Sequence, residues 1–115
     1  MHILFVCSRN QWRSPTAEKV FGRDPRWQVR SAGTSRSARR TVTEHDLLWA
    51  DTVFVMERSH RSRLRQQFPV TRTMDVVVLD IDDAYELMDP ELVRLLDETV
   101  TPQLEARAET AKLAP

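Results

Sequence analysis

A single cysteine, Cys7, ends an apolar run and is followed six positions later by an arginine. The segment His2–Pro15 reads HILFVCSRNQWRSP. The five residues between Cys7 and Arg13 are enough for a loop to wrap so that its backbone N–H groups point inward at an oxyanion. The guanidinium of Arg13 can then bind two oxygens of that anion. This spacing is typical of a cradle for a tetrahedral anion with a nucleophile at its base.

The chemistry that this spacing favours is transfer of a phosphoryl group to sulfur. The thiolate is the reactive form of cysteine, and a helix N-terminus beside an arginine stabilises it. The same positive surroundings stabilise a phosphate dianion and its trigonal transition state. The departing alkoxide or phenoxide needs a proton from a nearby acid. Asp82 and Asp83 are the candidates, and the residues themselves leave the choice between them open.

Each of these residues also has an interpretation without chemistry. Cys7 can be a small buried hydrophobic residue that closes a core strand. Asp82 and Asp83 can form a solvated turn. Ser14 can cap a helix, and it can also donate a hydrogen bond to the thiolate. Asn10 tolerates a left-handed backbone, which a tight loop usually requires at one position.

Length and composition predict one globular domain over residues 1–115, with 41% apolar and 30% charged residues. The lone cysteine excludes an internal disulfide and favours a reducing compartment, so we expect a cytoplasmic protein. The apolar run Ile3–Cys7 is too short for a signal peptide or a membrane span. The histidines His2, His45 and His60 stand apart, so we expect surface or edge residues and no metal or other cofactor.

Charge is divided unevenly along the chain. Residues 1–74 carry 14 Lys and Arg against six Asp and Glu, whereas residues 75–115 carry three against 11. Either the basic part attracts an anionic substrate, or the two parts attract each other. Nucleic acid is an unfavoured partner, because no aromatic residues for base stacking are interleaved with the basic residues Arg58, Arg61, Arg63, Arg65 and Arg72.

Short β-type runs alternate with helical runs. The predicted strands are Ile3–Val6, Trp27–Ser31, Thr52–Met56 and Val76–Ile81. The predicted helices are Ser14–Phe21, a short one capped by Thr43, Ser59–Phe68, and one from Asp89 that Pro102 kinks or restarts. Between them we expect a turn at Ala32–Thr34 and a loop at Ser35–Arg40.

This alternation predicts an α/β fold of three layers, with a four-stranded parallel sheet and helices on both faces. Right-handed crossovers place the carboxyl ends of all strands at one edge, where such sheets bind ligands. Topology therefore brings Cys7, Gly33, Glu57 and the pair Asp82–Asp83 to one edge.

Several segments together resemble the low-molecular-weight protein tyrosine phosphatases. The motif Val6-Cys7-x5-Arg13-Ser14-Pro15-x-Ala17-Glu18 is similar to that family's phosphate loop and first helix. Ser31–Thr34 resembles its second conserved block, and Thr43–Met56 its central portion. Asp83-Ala84-Tyr85 is similar to its Asp-Pro-Tyr acid motif. These segments span most of the chain in the family's order.

The resemblance implies a metal-independent phosphate monoester hydrolase that acts through a phosphocysteine, with protein tyrosine phosphatase activity. It makes Cys7 the nucleophile, Arg13 the phosphate clamp and Asp83 the general acid, and places Tyr85 at the pocket mouth. The implied partner is a phosphorylated protein or small molecule. The residues it implies for substrate binding and loop shape are Ser8, Arg9, Asn10, Gln11, Trp12 and Ser14.

The chain departs from the family pattern at several of these positions. Arg9 replaces a glycine, Trp12 replaces the second loop cysteine of eukaryotic members, and Ala84 replaces the proline of the acid motif. Ser8 and Gln11 replace apolar residues that line the family's aromatic slot. An alternative is a non-catalytic phosphate or phosphoprotein binding module of the same fold. Arsenate reduction would require further cysteines or an external thiol.

Overall fold

Four parallel strands form one central sheet in the computed structural model, which describes residues 1–113. The last two residues of the predicted domain, 114 and 115, lie outside the described part. The strand order is β2-β1-β3-β4, and every neighbouring pair is parallel. The strands are β1 His2–Cys7, β2 Gln28–Gly33, β3 Thr52–Val55 and β4 Val76–Val78.

Helices cover both faces of this sheet, which confirms the predicted three-layer α/β fold. The helix bounds are α1 Arg13–Phe21, α2 Glu44–Trp49, α3 Arg58–Gln67 and α4 Pro90–Leu113. Helices α1 and α4 pack on one face, and α2 and α3 pack on the other with a short 3₁₀ helix at Pro69–Thr73. None of the helices in residues 1–113 is long and apolar enough to cross a membrane.

The alternation of side chains along β1 divides the core in two. Ile3, Phe5 and Cys7 join the cluster under α1 and α4, whereas Leu4 and Val6 join the cluster under α2 and α3. A strand buried on both faces needs an unbroken apolar sequence, which explains the run that precedes the cysteine. This packing fixes the position from which Cys7 leaves the sheet.

Helix α4 runs without a break through Pro102, so of the two predicted effects of this proline, a kink or a restart, the restart is wrong. Its buried stripe has a spacing of four residues, Leu92, Leu96, Val100 and Leu104, and continues on both sides of the proline. Burial of each such side chain contributes about 1.5–3 kcal/mol, comparable with the roughly 3 kcal/mol cost of an internal proline. Since Pro102 itself is exposed, packing of the stripe holds the helix together.

Strands β2 and β4 end two and three residues away from their predicted ends. Strand β2 extends through Ala32 and Gly33, where a turn was expected, because it pairs with β1 as far as Cys7. Strand β4 ends at Val78 because Asp80 adopts a left-handed backbone with φ of 55°. The observed bounds of β3 and α3 differ from the predicted bounds by one residue at each end that differs.

Candidate active site

The loop between β1 and α1 turns its carbonyl oxygens outward. In residues 1–113, the backbone N–H groups of residues 8–12 donate to no protein atom. They therefore remain available to an anion inside the loop. The carbonyls bind the segment after β2, with Thr34 N to Cys7 O at 3.0 Å, Ser35 N to Ser8 O at 2.9 Å and Arg39 N to Arg9 O at 3.0 Å.

Gly33 allows this close approach of the two segments. A Cβ at this position would lie 2.6 Å from Ser8 O and 2.6 Å from the Cβ of Ala38. No side chain fits there unless the loop backbone moves. The glycine that the sequence analysis placed in a turn is thus the last residue of β2, paired with Cys7, and its role is to admit the loop.

Asn10 shapes the loop from inside, as the resemblance implied. It has φ of 55° and is fully buried, and asparagine tolerates this left-handed conformation. Its Nδ2 donates to Ser14 Oγ and to Ser31 Oγ, both at 2.9 Å. Ser31 in turn donates to Glu18 Oε1 at 2.5 Å. The loop is thereby tied to α1 and to β2.

Ser14 lies against the sulfur, with its Oγ 2.9 Å from Cys7 Sγ. Because this oxygen already accepts from Asn10, its own hydrogen is free to donate to sulfur. The other acceptor within reach, Ala32 O, is farther away at 3.4 Å. Helix α1 begins at Arg13, and its N-cap position is Trp12. Ser14 therefore does not cap the helix, and its hydroxyl contacts the sulfur. A hydrogen bond to the charged form of a thiol favours the thiolate.

Arg13 is almost fully buried at the far end of the loop, with 3% of its side chain exposed. Its Nη1 donates to Glu57 Oε2 at 2.7 Å and to Ile81 O at 2.8 Å. Both hydrogens of Nη1 are therefore used, whereas Nη2 and Nε remain for an anion. The nearest carboxylate to Nε is Asp83 Oδ1, at 3.6 Å. The guanidinium is fixed as a two-pronged donor before any ligand arrives.

Glu57 is the residue that holds Arg13 in place. The hydrogen bond from Arg13 lowers the pKa of the Glu57 carboxyl below its usual value. Glu57 is therefore a carboxylate at neutral pH and neither supplies nor removes a proton. Its position at the carboxyl end of β3 is the edge position that topology predicted, but the sequence analysis did not pair it with Arg13.

A small open cavity of about 150 Å³ lies over the sulfur. Of the two candidate acids, Asp83 lines this cavity and Asp82 does not. Tyr85 packs half-buried against the core cluster under α1 and α4 and is not one of the residues that line this cavity. Trp12 instead offers an aromatic side chain at the mouth and is 43% exposed. The lining residues are Cys7, Ser8, Arg9, Gln11, Trp12, Arg13 and Asp83.

His60 is buried, with 2% exposed, so the prediction of a surface or edge residue is wrong for it. It lies in the first turn of α3, three residues after Glu57. Its Nδ1 is 3.0 Å from the backbone N of Glu57, and its Nε2 is 2.8 Å from Ser8 Oγ. The side chain therefore joins α3 to the loop between β1 and α1. The sequence gives one indication of this role, which is that His60 lies shortly after a predicted strand. Hydrophobic patterns do not predict which side chains at such a position are buried.

Burial, reinforced by the positive charge of Arg13, lowers the pKa of His60 from 6.5 to about 4. Glu57 and Asp83 oppose this shift to a smaller extent. Between these pH values the unfolded chain binds a proton that the native protein does not bind, so native stability falls as pH falls. We expect the free energy of unfolding to drop by up to about 3 kcal/mol on going from pH 7 toward pH 4.

Urea unfolding at a series of pH values measures this dependence. The His60→Gln variant is the control, and its free energy of unfolding should not fall between pH 6.5 and 5 as that of the parent protein does. Carboxylates such as Glu57, whose pKa is lowered, contribute only below about pH 4.5. An equal slope in both proteins above pH 5 would show that His60 is not the group responsible.

Comparison with known proteins places the chain in a family. Residues 2–100 match the family model described as low molecular weight phosphotyrosine protein phosphatase. The chain therefore belongs to this family of metal-independent phosphatases that act through a cysteine. No curated protein sequence gave a match.

Solved structures of similar proteins have the same fold. The YwlE arginine phosphatase from Geobacillus stearothermophilus is 23% identical, with a TM-score of 0.73 over 97% of this chain and 95% of that one. A mutant of YwlE from Bacillus subtilis is 26% identical, with a TM-score of 0.68 over 91% and 99%. The tyrosine phosphatase Wzb from Escherichia coli K30 in complex with phosphate is 22% identical, with a TM-score of 0.76 over 91% and 96%.

Proposed function

We propose that this protein hydrolyses phosphate monoesters with Cys7 as nucleophile, Arg13 as phosphate clamp and Asp83 as general acid. The observation that carries the proposal is the composition of the cavity. A sulfur lies at its base, unpaired N–H groups form the loop around it, and a buried guanidinium closes the loop. The family membership of the chain supports the same reaction class.

Substrate binding uses groups that are already in position. The phosphate dianion accepts from the N–H groups of residues 8–12 and from Nη2 and Nε of Arg13. Asp83 Oδ1, now 3.6 Å from Nε, must yield to the phosphate oxygens and approach the ester oxygen. Because Glu57 and Ile81 hold Nη1, little reorganisation accompanies binding.

Cleavage is an in-line displacement at phosphorus. The sulfur of Cys7 forms the S–P bond while the P–O bond to the leaving group breaks. Asp83, protonated, gives its proton to the leaving oxygen. Ser14 stabilises the thiolate by its hydrogen bond, and the loop N–H groups stabilise the three equatorial oxygens of the transition state.

Hydrolysis of the phosphocysteine restores the protein. Asp83, now a carboxylate, takes a proton from a water molecule that attacks phosphorus from the side the leaving group vacated. The S–P bond breaks, the thiolate of Cys7 is regenerated and inorganic phosphate leaves. No metal is required, because Arg13 and the loop N–H groups supply the charge stabilisation.

The Asp83→Asn variant tests the general acid. We expect kcat to fall by about 10²–10⁴-fold for alkyl phosphates, because their leaving groups need a proton. The loss should be smaller for p-nitrophenyl phosphate, whose leaving group departs as an anion. Steady-state kinetics on both substrates measures the difference.

Asp82→Asn is the matched control, one residue away and outside the cavity lining. It should keep the activity of the parent protein on both substrates. A loss in Asp82→Asn with none in Asp83→Asn would reassign the acid to Asp82.

For the substrate we propose phosphotyrosine-type aryl phosphates, with the ring beside Trp12 at the cavity mouth. The other walls are polar, and one protein of similar structure is an arginine phosphatase, so phosphoarginine belongs in the same assay. Measurement of kcat/KM for phosphotyrosine, phosphoserine and phosphoarginine peptides under the same conditions identifies the substrate class. Phosphate binding with no turnover of any of them would favour the non-catalytic binding module.

A cytoplasmic location is part of the proposal. The thiolate must remain reduced to act as nucleophile, and reducing compartments maintain free thiols. Fractionation of cells that express the tagged protein tests this directly.

A further inference from the structure

Ser8 carries a hydroxyl group whose hydrogen can be assigned from its surroundings. Its Oγ is 2.8 Å from His60 Nε2, and the hydrogen bonds of residues 1–113 give it no other protein partner. Ser8 is also one of the residues that line the cavity over the sulfur. The direction of the bond to His60 therefore determines what Ser8 offers to a ligand.

The backbone of Glu57 fixes that direction. Its N–H points at His60 Nδ1 from 3.0 Å, and a backbone N–H can only donate, so Nδ1 must be the acceptor nitrogen. Burial and the charge of Arg13 keep the imidazole neutral at neutral pH, with a pKa of about 4. A neutral ring with Nδ1 as acceptor carries its hydrogen on Nε2, which donates to Ser8 Oγ.

As a result, Ser8 Oγ accepts a hydrogen bond from His60 Nε2, and the hydrogen of the Ser8 hydroxyl remains available to another acceptor. A hydroxyl that accepts one hydrogen bond uses its single hydrogen elsewhere, and the cavity is where Ser8 is accessible. The direction is thus imposed by α3 and does not depend on the ligand. The Ser14 hydroxyl is arranged in the same way: its oxygen accepts a hydrogen bond from Asn10, so its hydrogen is available to the sulfur of Cys7.

We infer that the Ser8 hydroxyl is an additional donor to the phosphoryl group, and that His60 is the positioning residue that turns it toward the ligand. This inference rests on the proposed phosphatase function and adds a side-chain donor to the loop N–H groups and Arg13. Ser8 stands at a position where the family usually has an apolar residue, so the donor belongs to this chain's own sequence.

Inorganic phosphate and vanadate, as competitive inhibitors of p-nitrophenyl phosphate hydrolysis, are the probes. Ser8→Ala should weaken phosphate inhibition and lower kcat/KM by about 10–100-fold, since a hydrogen bond to a charged group is lost. His60→Leu should cost about 3–10-fold when Ser8 is present and nothing further when Ser8 is alanine. His60→Gln, whose amide N–H can reach Ser8, should recover part of the loss.

Two controls separate this role from a general structural one. Thr43→Ala removes the cap of α2, so it lowers stability without touching the cavity, and phosphate inhibition should be unchanged. Nitrogen-detected NMR of the parent protein should show His60 as the neutral tautomer with hydrogen on Nε2. The opposite tautomer, or equal losses from His60→Leu with and without the Ser8 hydroxyl, would overturn the inference.

The test remains decisive if His60→Leu does not fold, because Ser8→Ala removes the proposed donor and leaves the imidazole of His60 in place. Unaltered phosphate affinity in Ser8→Ala, with full hydrolysis by the parent protein, would refute the donor while leaving the phosphatase function intact. Absence of hydrolysis by the parent protein would instead refute the phosphatase function, and hydrolysis that persists in Cys7→Ser would refute the role of Cys7 as nucleophile.

Discussion

Replacement of Cys7 by serine is expected to lower kcat for aryl phosphate hydrolysis by about 10⁴-fold or more. A serine hydroxyl is a much weaker nucleophile at neutral pH, and the loop has no adjacent base to activate it, since Ser14 donates toward position 7. Steady-state kinetics with p-nitrophenyl phosphate measures the loss.

Phosphate affinity serves as the control for this variant. Serine is nearly the size of cysteine, and the loop N–H groups and Arg13 do not depend on the sulfur. Cys7→Ser should therefore still bind inorganic phosphate, as measured by calorimetry or by protection against thermal unfolding. Turnover close to that of the parent protein would exclude Cys7 as the nucleophile.

The Arg13→Lys variant should lose about 10²–10³-fold in kcat/KM although the charge is kept. A lysine ammonium cannot hold Glu57 and Ile81 O while presenting two further donors to a phosphate. The loss of the partner of Ile81 O, a buried acceptor, should also lower the free energy of unfolding by about 1–3 kcal/mol. Kinetics and urea unfolding of the same preparation measure the two effects.

Arg63→Lys is the matched control, because Arg63 is exposed on α3 and does not line the cavity over the sulfur. It should leave both kinetics and stability unchanged. If Arg13→Lys behaved like this control, the guanidinium would not be the clamp that closes the loop.

The electrostatics of the site explain why Arg13 needs a fixed partner. The unpaired loop N–H groups and the guanidinium together would attract any anion, and Glu57 balances the guanidinium while the site is empty. Asp83 is exposed and lies farther from Arg13, with 3.6 Å between its Oδ1 and Nε. In the proposed mechanism Glu57 therefore stays with Arg13 through the reaction, whereas Asp83 can deliver its proton to the leaving group.

The positions of the strands and of the nucleophile were predictable because they depend on patterns along the chain. The run before Cys7 is apolar at every position because β1 is buried on both faces, and the parallel order follows from the strand–helix alternation. The capping box of Thr43 and Asp46 was predictable for the same reason, since the two residues lie three positions apart at the start of α2.

What sequence patterns did not show depends on pairs far apart in the chain. The contact between Arg13 and Glu57 joins the first residue of α1 to the N-cap of α3, and the contact between His60 and Ser8 spans 52 residues. No periodicity encodes such pairs. The position of Asp83 near Arg13 likewise depends on the path of the loop after β4, and no pattern along the chain predicts that path.

Trapping of the reaction intermediate tests the nucleophile most directly. The parent protein is mixed with excess p-nitrophenyl phosphate, quenched within one turnover and digested for mass spectrometry. We expect one phosphoryl group on the peptide that contains Cys7, more of it in Asp83→Asn, where hydrolysis of the S–P bond is slowed, and none in Cys7→Ala, which has no nucleophilic atom at this position. Rapid release of phosphate with no phosphoryl group on Cys7 in either active protein would show that water attacks the substrate directly, and the sulfur would have no covalent role.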